Sequence, residues 1–483
     1  MLATLRNAFE HLLESGFPAH LFAIAGFLLA FSLVARLMSE KRAPANTFAW
    51  LLVIVLLPYV GVPLYLLIGG RKLRRILREK SHILPALPGA IAGSTNGSVC
   101  GPIATTVVAA GGLPPVSGNR VRLLSTGEDE FAALEENIRS AKSCIHITTF
   151  ILSRDDTGRR IVRLLADRAR EGVKVRLLLD AVGCLTSRGR FVEPLRRAGG
   201  EIGRFMPVIP FTSRGSANLR NHRKVAVFDH RTALMGGRNL AREYMGPEPF
   251  PRRWRDLGAA IEGPAAYLLN EVFIADWCFA TRQSPETLHA EIPAEAFAAC
   301  GESELQVVAS GPDVPGDPLY EGIVAMIQEA EHSISIVTPY FIPDDVLFRS
   351  LIVKARAGRS VTLVIPARSN HRVADLARRQ YLRELRRAGC RILVYTKGML
   401  HAKAIIVDGR LGLFGSPNFD VRSLFVNFEV GVLAHSPGDM EAMKDWAAGL
   451  MAECVEAKPE PNRRRKIFGN VAEDISRLLA PLL

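Results

Sequence analysis

Cysteine is scarce in this chain of 483 residues, and what there is stands alone. The seven cysteines (100, 144, 184, 278, 300, 390 and 454) form no Cys-x-x-Cys and their total is odd. That pattern argues against a disulfide framework or a zinc site and for a reducing compartment. No cofactor-binding motif is visible, so neither a cofactor nor a metal is expected. Acidic residues are outnumbered: 48 Asp and Glu against 61 Lys and Arg leave a formal charge of +13. The excess favours an anionic partner, either nucleic acid or the surface of an anionic membrane. Charge alone does not choose between them.

Charge is absent altogether from two stretches, 21–35 and 43–70. They explain how a chain with 23% charged residues keeps a positive mean hydropathy of +0.14. The second stretch exceeds the roughly 20 residues a helix needs to cross a bilayer. Within it Pro58, Gly61 and Pro63 are expected to kink the helix, which neighbouring helices tolerate in a membrane. Spans at about 19–38 and 47–68 thus predict a two-helix transmembrane hairpin over 1–70, with Trp50 and Tyr65 as interfacial aromatics. A cleaved signal peptide fits less well, because Glu10 and Glu14 stand where a basic cluster belongs and a second span follows at once. Arg71, Lys72, Arg74, Arg75, Arg78 and Lys80 crowd the exit of the second span, whereas the connection offers only Arg36, Lys41 and Arg42, offset by Glu40. The positive-inside rule then puts everything after Arg71 in the cytoplasm, with the basic run free to touch anionic headgroups.

Residues 71–120 read as this basic juxtamembrane segment followed by a linker, since 84–119 are dominated by Pro, Gly, Ala and Ser without lasting apolar periodicity. Beyond the linker the chain repeats itself. Residues 143–152 (SCIHITTFIL) resemble 333–342 (SISIVTPYFI); a helical pattern follows each, at 157–170 and 344–357. Apolar runs come next, at 173–179 and 360–365, and then short strands at 200–205 and 391–395. Strand, helix and strand in this succession build a mixed or parallel sheet covered by helices, an α/β fold in two repeats, 121–300 and 301–483. The second repeat closes on Arg463 to Lys466 and an amphipathic segment at 467–483, read as a solvated run or an interfacial membrane helix.

One spacing decides the chemistry, because it occurs twice. His222-x-Lys224-x4-Asp229-x6-Gly236-Gly237-x-Asn239 is matched by His401-x-Lys403-x4-Asp408-x6-Gly415-Ser416-x-Asn418. Strand alternation sets each His and Lys on one face. Two imidazoles and two ammonium groups then meet one phosphate, enough to break a phosphodiester through a covalent intermediate without a metal. One histidine attacks phosphorus while the other protonates the departing alcohol. Lys224 and Lys403 hold the non-bridging oxygens, with Asn239, Asn418 and Ser416 as further candidate donors. Asp229 and Asp408, grouped with the catalytic motif, are read as braces of its loops. His146, His230, His332 and His435 are read as structural or solvated, and His371 as divided between loop and acceptor pocket.

These motifs resemble those of the phospholipase D superfamily, and the text around them resembles the bacterial cardiolipin synthases. The matching phrases are Asn221-His222-Arg223-Lys224, Trp254-Arg255-Asp256, Thr338-Pro339-Tyr340-Phe341-Ile342-Pro343, Gly398-Met399-Leu400-His401-Ala402-Lys403 and Asn418-x-Asp420-x-Arg422-Ser423-x3-Asn427-x-Glu429. Ser369-Asn370-His371-Arg372 departs from the usual acidic, Pro-containing stretch of those synthases. The resemblance implies two phospholipase D-like repeats packed around one shared active site. It also implies that Glu429 orients His401, with Asp256 a candidate to orient His222.

The resemblance further implies a membrane phosphatidyltransferase that joins two phosphatidylglycerol molecules into cardiolipin and glycerol through a phosphohistidine. Such an enzyme is a multi-pass protein of the bacterial inner membrane whose partners are phosphatidylglycerol and anionic lipid, and not nucleic acid. A hydrolytic phospholipase D releasing phosphatidic acid is the alternative. A nuclease fits the charge but not the hairpin, and a scaffold with degenerate motifs does not fit two intact motifs. The sequence leaves open which histidine attacks, whether phosphatidylethanolamine serves as second substrate, and the oligomeric state.

Overall fold

A computed structural model describes residues 44–68, 101–207, 218–314 and 316–457, together with Lys80 and scattered positions between 26 and 35. The chain divides into two compact units, essentially residues 1–71 and the remainder. In the first, helices Pro44–Leu56 and Pro58–Ile68 carry no charge and are separated at Leu57. Pro58 has no amide hydrogen and disfavours helical backbone in the residue before it, which accounts for the break. Gly61 lets the turns close up, since a Cβ there would lie 2.4 Å from the Val53 carbonyl oxygen. Trp50 and Tyr65 stack edge to face at 5.3 Å, while Leu52, Val55, Leu56, Leu57, Tyr59 and Val60 stay exposed. Among the described residues no helix is long and apolar enough to cross a membrane: where one span at 47–68 was expected, there are helices of 13 and 11 residues. Most of the first expected span lies outside the described residues, as does the C-terminal segment 467–483 with Arg463 to Lys466.

The second unit is built on one long sheet. Its first half supplies β1 (Val116–Leu124), β2 (Cys144–Thr149), β3 (Lys174–Asp180), β4 (Glu201–Phe205), β5 (Val225–Phe228), β6 (Thr232–Gly236) and β7 (Gly258–Glu262). The second supplies β8 (Ser303–Ser310), β9 (Ser333–Val337), β10 (Phe341–Ile342), β11 (Ser360–Pro366), β12 (Arg391–Tyr395), β13 (Ala404–Val407), β14 (Leu411–Gly415), β15 (Phe419–Asp420), β16 (Glu429–Ala434) and β17 (Cys454–Glu456). The order is β4-β3-β2-β5-β6-β7-β1-β8-β16-β14-β13-β9-β11-β12-β17, with β10 and β15 paired apart. Read outward from the β1–β8 junction, the halves repeat one another: an antiparallel meander, then three parallel strands. Of the parallel strands, β2, β3 and β11 are buried on both faces, as a sheet covered by helices requires. Helix Pro264–Thr281, buried almost all round, packs across strands of both halves and ties them into one body.

The linker expected over 84–119 is corrected from residue 102 onward, residues 84–100 lying outside the description. Pro102–Ala109 is a helix whose Val107 is wholly buried in the second half's core, and Val116 opens β1. Proline at the first helical position starts a helix instead of breaking one, which is why a Pro-rich composition misleads here.

Candidate active site

Local sequence repeats bring the two motifs to the same place in each half. β5 and β6 form a hairpin, as do β13 and β14, and each runs into the motif's small pair with Gly236 opposite Gly258 and Gly415 opposite Gly431. Two residues before those partner glycines stand Asp256 and Glu429, so the register makes the two carboxylates equivalents. Both glycines have φ near +150° (158° and 151°), and a Cβ would lie 2.5 Å from the Leu257 carbonyl oxygen in one and 2.4 Å from that of Val430 in the other.

His222 and Lys224 do not sit inside the strand, as expected, but in the extended chain just before β5; His401 and Lys403 likewise precede β13. The reason is that this chain pairs with the opposite half. Asn221 bridges Phe428, with the His222 amide donating to the Phe428 carbonyl at 2.9 Å. Arg255 bridges Leu400, with the His401 amide donating to the Arg255 carbonyl at 2.7 Å.

These bridges exchange the expected carboxylate partners. Nδ1 of His222 donates to Glu429 (2.8 Å to Oε1), and Nδ1 of His401 donates to Asp256 (2.7 Å to Oδ2). Each imidazole is therefore oriented by the other half of the chain, the reverse of the assignment drawn from resemblance. Nε2 takes no carboxylate in either ring. The Lys224 ammonium donates to the His222 carbonyl at 2.6 Å, and the Lys403 ammonium to the His401 carbonyl, with its Nζ 2.6 Å from Nδ1 and 3.1 Å from Nε2 of His401. Tyr244 and Trp254 pack against the His401 ring, and Phe150 against the His222 ring.

The remaining motif residues are placed as supports. Ser416 donates its hydroxyl to Glu429 at 2.5 Å, and Asn418 donates one amide hydrogen to Ser423 at 3.2 Å. Asn239 accepts from the Ile151 amide at 3.1 Å, holding the loop that carries Phe150. Asp229 accepts from the amides of Lys142, Ser143 and Cys144, and Asp408 from those of Glu331, His332 and Ser333. Both aspartates end a strand in left-handed backbone, φ 49° and 53°. Five extended residues at ~3.3 Å each put them roughly 16 Å along the chain from the lysines. They brace the loops and do not join the two histidines.

Burial sets the charges. It pushes His222 down to about 4 and His401 to about 3, with the neighbouring ammonium groups adding to the effect against their carboxylates. It likewise pushes Lys224 down to about 7 and Lys403 to about 8. Burial raises both carboxylates, but Lys403 and His401 outweigh it at Asp256, and His222 and Lys224 at Glu429, so both lie below their ordinary values. The result is two neutral imidazoles between two ammonium groups and two carboxylates.

Several contributors are not legible from motif spacing. Tyr340 lies 6.4 Å from the His401 ring and 5.3 Å from the His371 ring, and its hydroxyl donates to Asn370. It links the divergent loop at 369–372 to the catalytic centre. Arg223, between His222 and Lys224, points to the far side of the chain and is buried on Asp276 at 2.6 Å and the Glu429 carbonyl at 3.0 Å. Lys80, expected among the cations at a membrane surface, is instead fully buried between Asp276 and Asp313. The signal was present in principle: a charged residue alternating onto a buried face demands a buried partner. His146 and His230 are structural, as expected; with Cys144 their ligand atoms lie within 4.8 Å of one another. Asn270 and Cys144 already occupy the His230 nitrogens, and Asn270 and the Arg176 guanidinium those of His146, an arrangement that repels a cation. His332 is solvated, and His435 pairs with Glu304 at 3.0 Å.

This doubled site has counterparts of known sequence. Residues 134–277 and 323–451 match the family described as cardiolipin synthase, PLD-like domain, and 27–70 match the phospholipase D-nuclease N-terminal family. The cardiolipin synthase of Geobacillus sp. (strain WCH70) is 33% identical over 465 residues, covering 92% of this chain and 90% of the relative. The chain belongs to the cardiolipin synthase family of the phospholipase D superfamily. Cardiolipin synthase 1 of Bacillus anthracis, 32% identical over 509 residues, covers 100% of this chain and 98% of its own length. Among solved structures, the phosphatidylserine synthase of Haemophilus influenzae Rd KW20 shares the fold, with a TM-score of 0.58 and 17% identity over 79% of this chain and 100% of that one.

Proposed function

We propose that this family member is a membrane phosphatidyltransferase that condenses two phosphatidylglycerol molecules into cardiolipin and glycerol. The observation that carries the reading is the crossed pair of carboxylate-oriented histidines, joined to full-length likeness to cardiolipin synthases. With both imidazoles neutral, Lys224, Lys403, Asp256 and Glu429 sum to zero charge. A phosphodiester monoanion entering between the lysines restores that balance when one imidazole takes up a proton, so substrate binding itself generates the general acid. The other imidazole attacks phosphorus through Nε2, the protonated one hands its proton to the departing glycerol oxygen, and the ammonium groups stabilise the equatorial oxygens. A second phosphatidylglycerol hydroxyl then reverses the steps on the phosphohistidine.

The exposed apolar faces of the helices over 44–68 support attachment to a bilayer through an N-terminal hairpin, and the flanking cations support a cytoplasmic catalytic body. The test is to supply labelled phosphatidylglycerol in detergent and identify the products. Cardiolipin and glycerol are expected; phosphatidic acid alone selects the hydrolase. His222→Ala and His401→Ala each cost several orders of magnitude in turnover, and the double variant is scarcely worse than the worse single. Near-normal turnover without either histidine refutes the shared site.

A further inference from the structure

β2 runs antiparallel to β5 and parallel to β3, so the loops that leave the C-terminal ends of β2 and β3 emerge beside His222. Phe150 leads the first loop, its ring 5.1 Å from that of His222. The second loop is tied to it: the Cys184 thiol donates to the Phe150 carbonyl at 3.2 Å, and the Ser187 hydroxyl donates to the Leu152 carbonyl. The tied loops present two apolar side chains to solvent, Val182 (40% exposed) and Leu185 (49% exposed). The chain that follows these loops forms a groove of about 290 Å³ lined by Arg154, Arg159, Val162, Arg163, Arg190, Phe191 and Pro194.

The groove's charge is largely uncompensated. Arg159 is paired with Asp156 at 2.7 Å, but Arg154 lies over the Phe191 ring, and neither it, Arg163 nor Arg190 forms an ion pair among the described residues. Arginine clusters of this kind suit phosphate oxygens, which the planar guanidinium meets bidentately. A rim of exposed aliphatic side chains beside such a cluster suits the boundary between headgroups and acyl chains.

We propose that the Arg154–Arg163–Arg190 groove binds the phosphate-bearing headgroup of an anionic phospholipid at the bilayer surface, while Val182 and Leu185 seat in its outer apolar layer. This docking site holds the mouth of the His222 half against the membrane from which substrate is drawn. It rests on the reading that the enzyme consumes an anionic lipid. It serves to concentrate and orient that lipid and takes no part in phosphorus chemistry.

The test uses the full chain in mixed micelles of a nonionic detergent, with the mole fraction of phosphatidylglycerol varied and its consumption measured. In R154E/R163E/R190E the apparent KM, in mole fraction, rises at least tenfold while kcat changes less than twofold. The lysine triple variant, which keeps the charge but not the bidentate fork, raises KM less than charge reversal does, which separates charge from folding. Added salt raises the KM of the unsubstituted enzyme and does not raise that of the charge-reversed one, whose repulsion it screens. An unchanged KM on charge reversal overturns the proposal, as does a fall in kcat with KM intact. Titration calorimetry with inorganic phosphate supplies the remaining arm: phosphate binding lost with lipid dependence preserved assigns the groove to a soluble anion and overturns docking. Product analysis of the unsubstituted enzyme scores the transferase reading separately, because consumption is counted whichever product forms.

Discussion

Gly237 and Ser416 occupy the same motif position, yet their environments differ in a way that follows from the carboxylate each one faces. Asp256 is the shorter acid and comes so close to Gly237 that a Cβ there would lie 2.2 Å from its Oδ1, whereas the longer Glu429 leaves room for a hydroxyl that donates to it. Gly237→Ala therefore displaces Asp256 and frees His401, while Ser416→Ala removes only one of the bonds to Glu429. Losing the carboxylate that holds a reacting imidazole in its tautomer costs up to about 10⁴-fold. Gly237→Ala and Asp256→Asn should each lower turnover by that order, and their combination should be no worse than either alone. Steady-state kinetics on phosphatidylglycerol check this; multiplied effects would show that the glycine acts elsewhere. Ser416→Ala should cost less than tenfold.

At the scale of elements, the His, Lys and Asp positions and the succession of strand and helix were legible because they depend on local spacing and on hydrophobic period. The partner of each histidine was not legible. It depends on two isolated bridges, Asn221 to Phe428 and Arg255 to Leu400, that join segments some 150 to 200 residues apart and have no period to betray them. The same holds for Lys80, whose basic neighbours suggested a lipid surface while its own side chain closes a buried cluster. Asp276 and Asp313 there face Arg223 and Lys80, two negative groups against two positive, directly behind the catalytic chain. Removing one partner from a buried ion pair costs about 3–5 kcal/mol, because the remaining charge is stranded. Lys80→Met should destabilise the catalytic body by that amount, read as a fall in its unfolding midpoint. Lys80→Met/Asp313→Asn should recover part of the loss, since the stranded charge goes with it. A midpoint unmoved by Lys80→Met would place the lysine outside the cluster.

At the scale of the whole molecule, two halves that orient each other's histidines make the site a single titrating system, and its pH profile follows from the signs of the shifts. In the free enzyme the imidazoles, pushed down to about 4 and about 3, are neutral throughout the ordinary range. Kcat/KM therefore has no acid limb near the ~6.5 of an unperturbed histidine. The ammonium groups, pushed down to about 7 and about 8, lose their protons on the alkaline side. The protonated form binds the phosphodiester, so the fall of kcat/KM with pH steepens through this interval, with apparent values belonging to the lysine pair and not to either residue. Folding has the opposite dependence. A histidine depressed below its unfolded value contributes stability that is fully present above ~6.5 and is lost as pH falls toward the folded value, so the enzyme should unfold more easily in acid. Because one imidazole takes up its proton only as substrate binds, kcat/KM on phosphatidylglycerol micelles at constant ionic strength should fall by about tenfold per unit from about pH 5 and more steeply once the lysines titrate. Lys224→Arg, which stays charged, should move the steeper decline upward by about one unit or more even if it lowers the whole profile. An acid limb near 6.5 in a still-folded enzyme would show that the imidazoles are not desolvated as described. A slope that does not steepen before about pH 9.5 would show the same of the lysines.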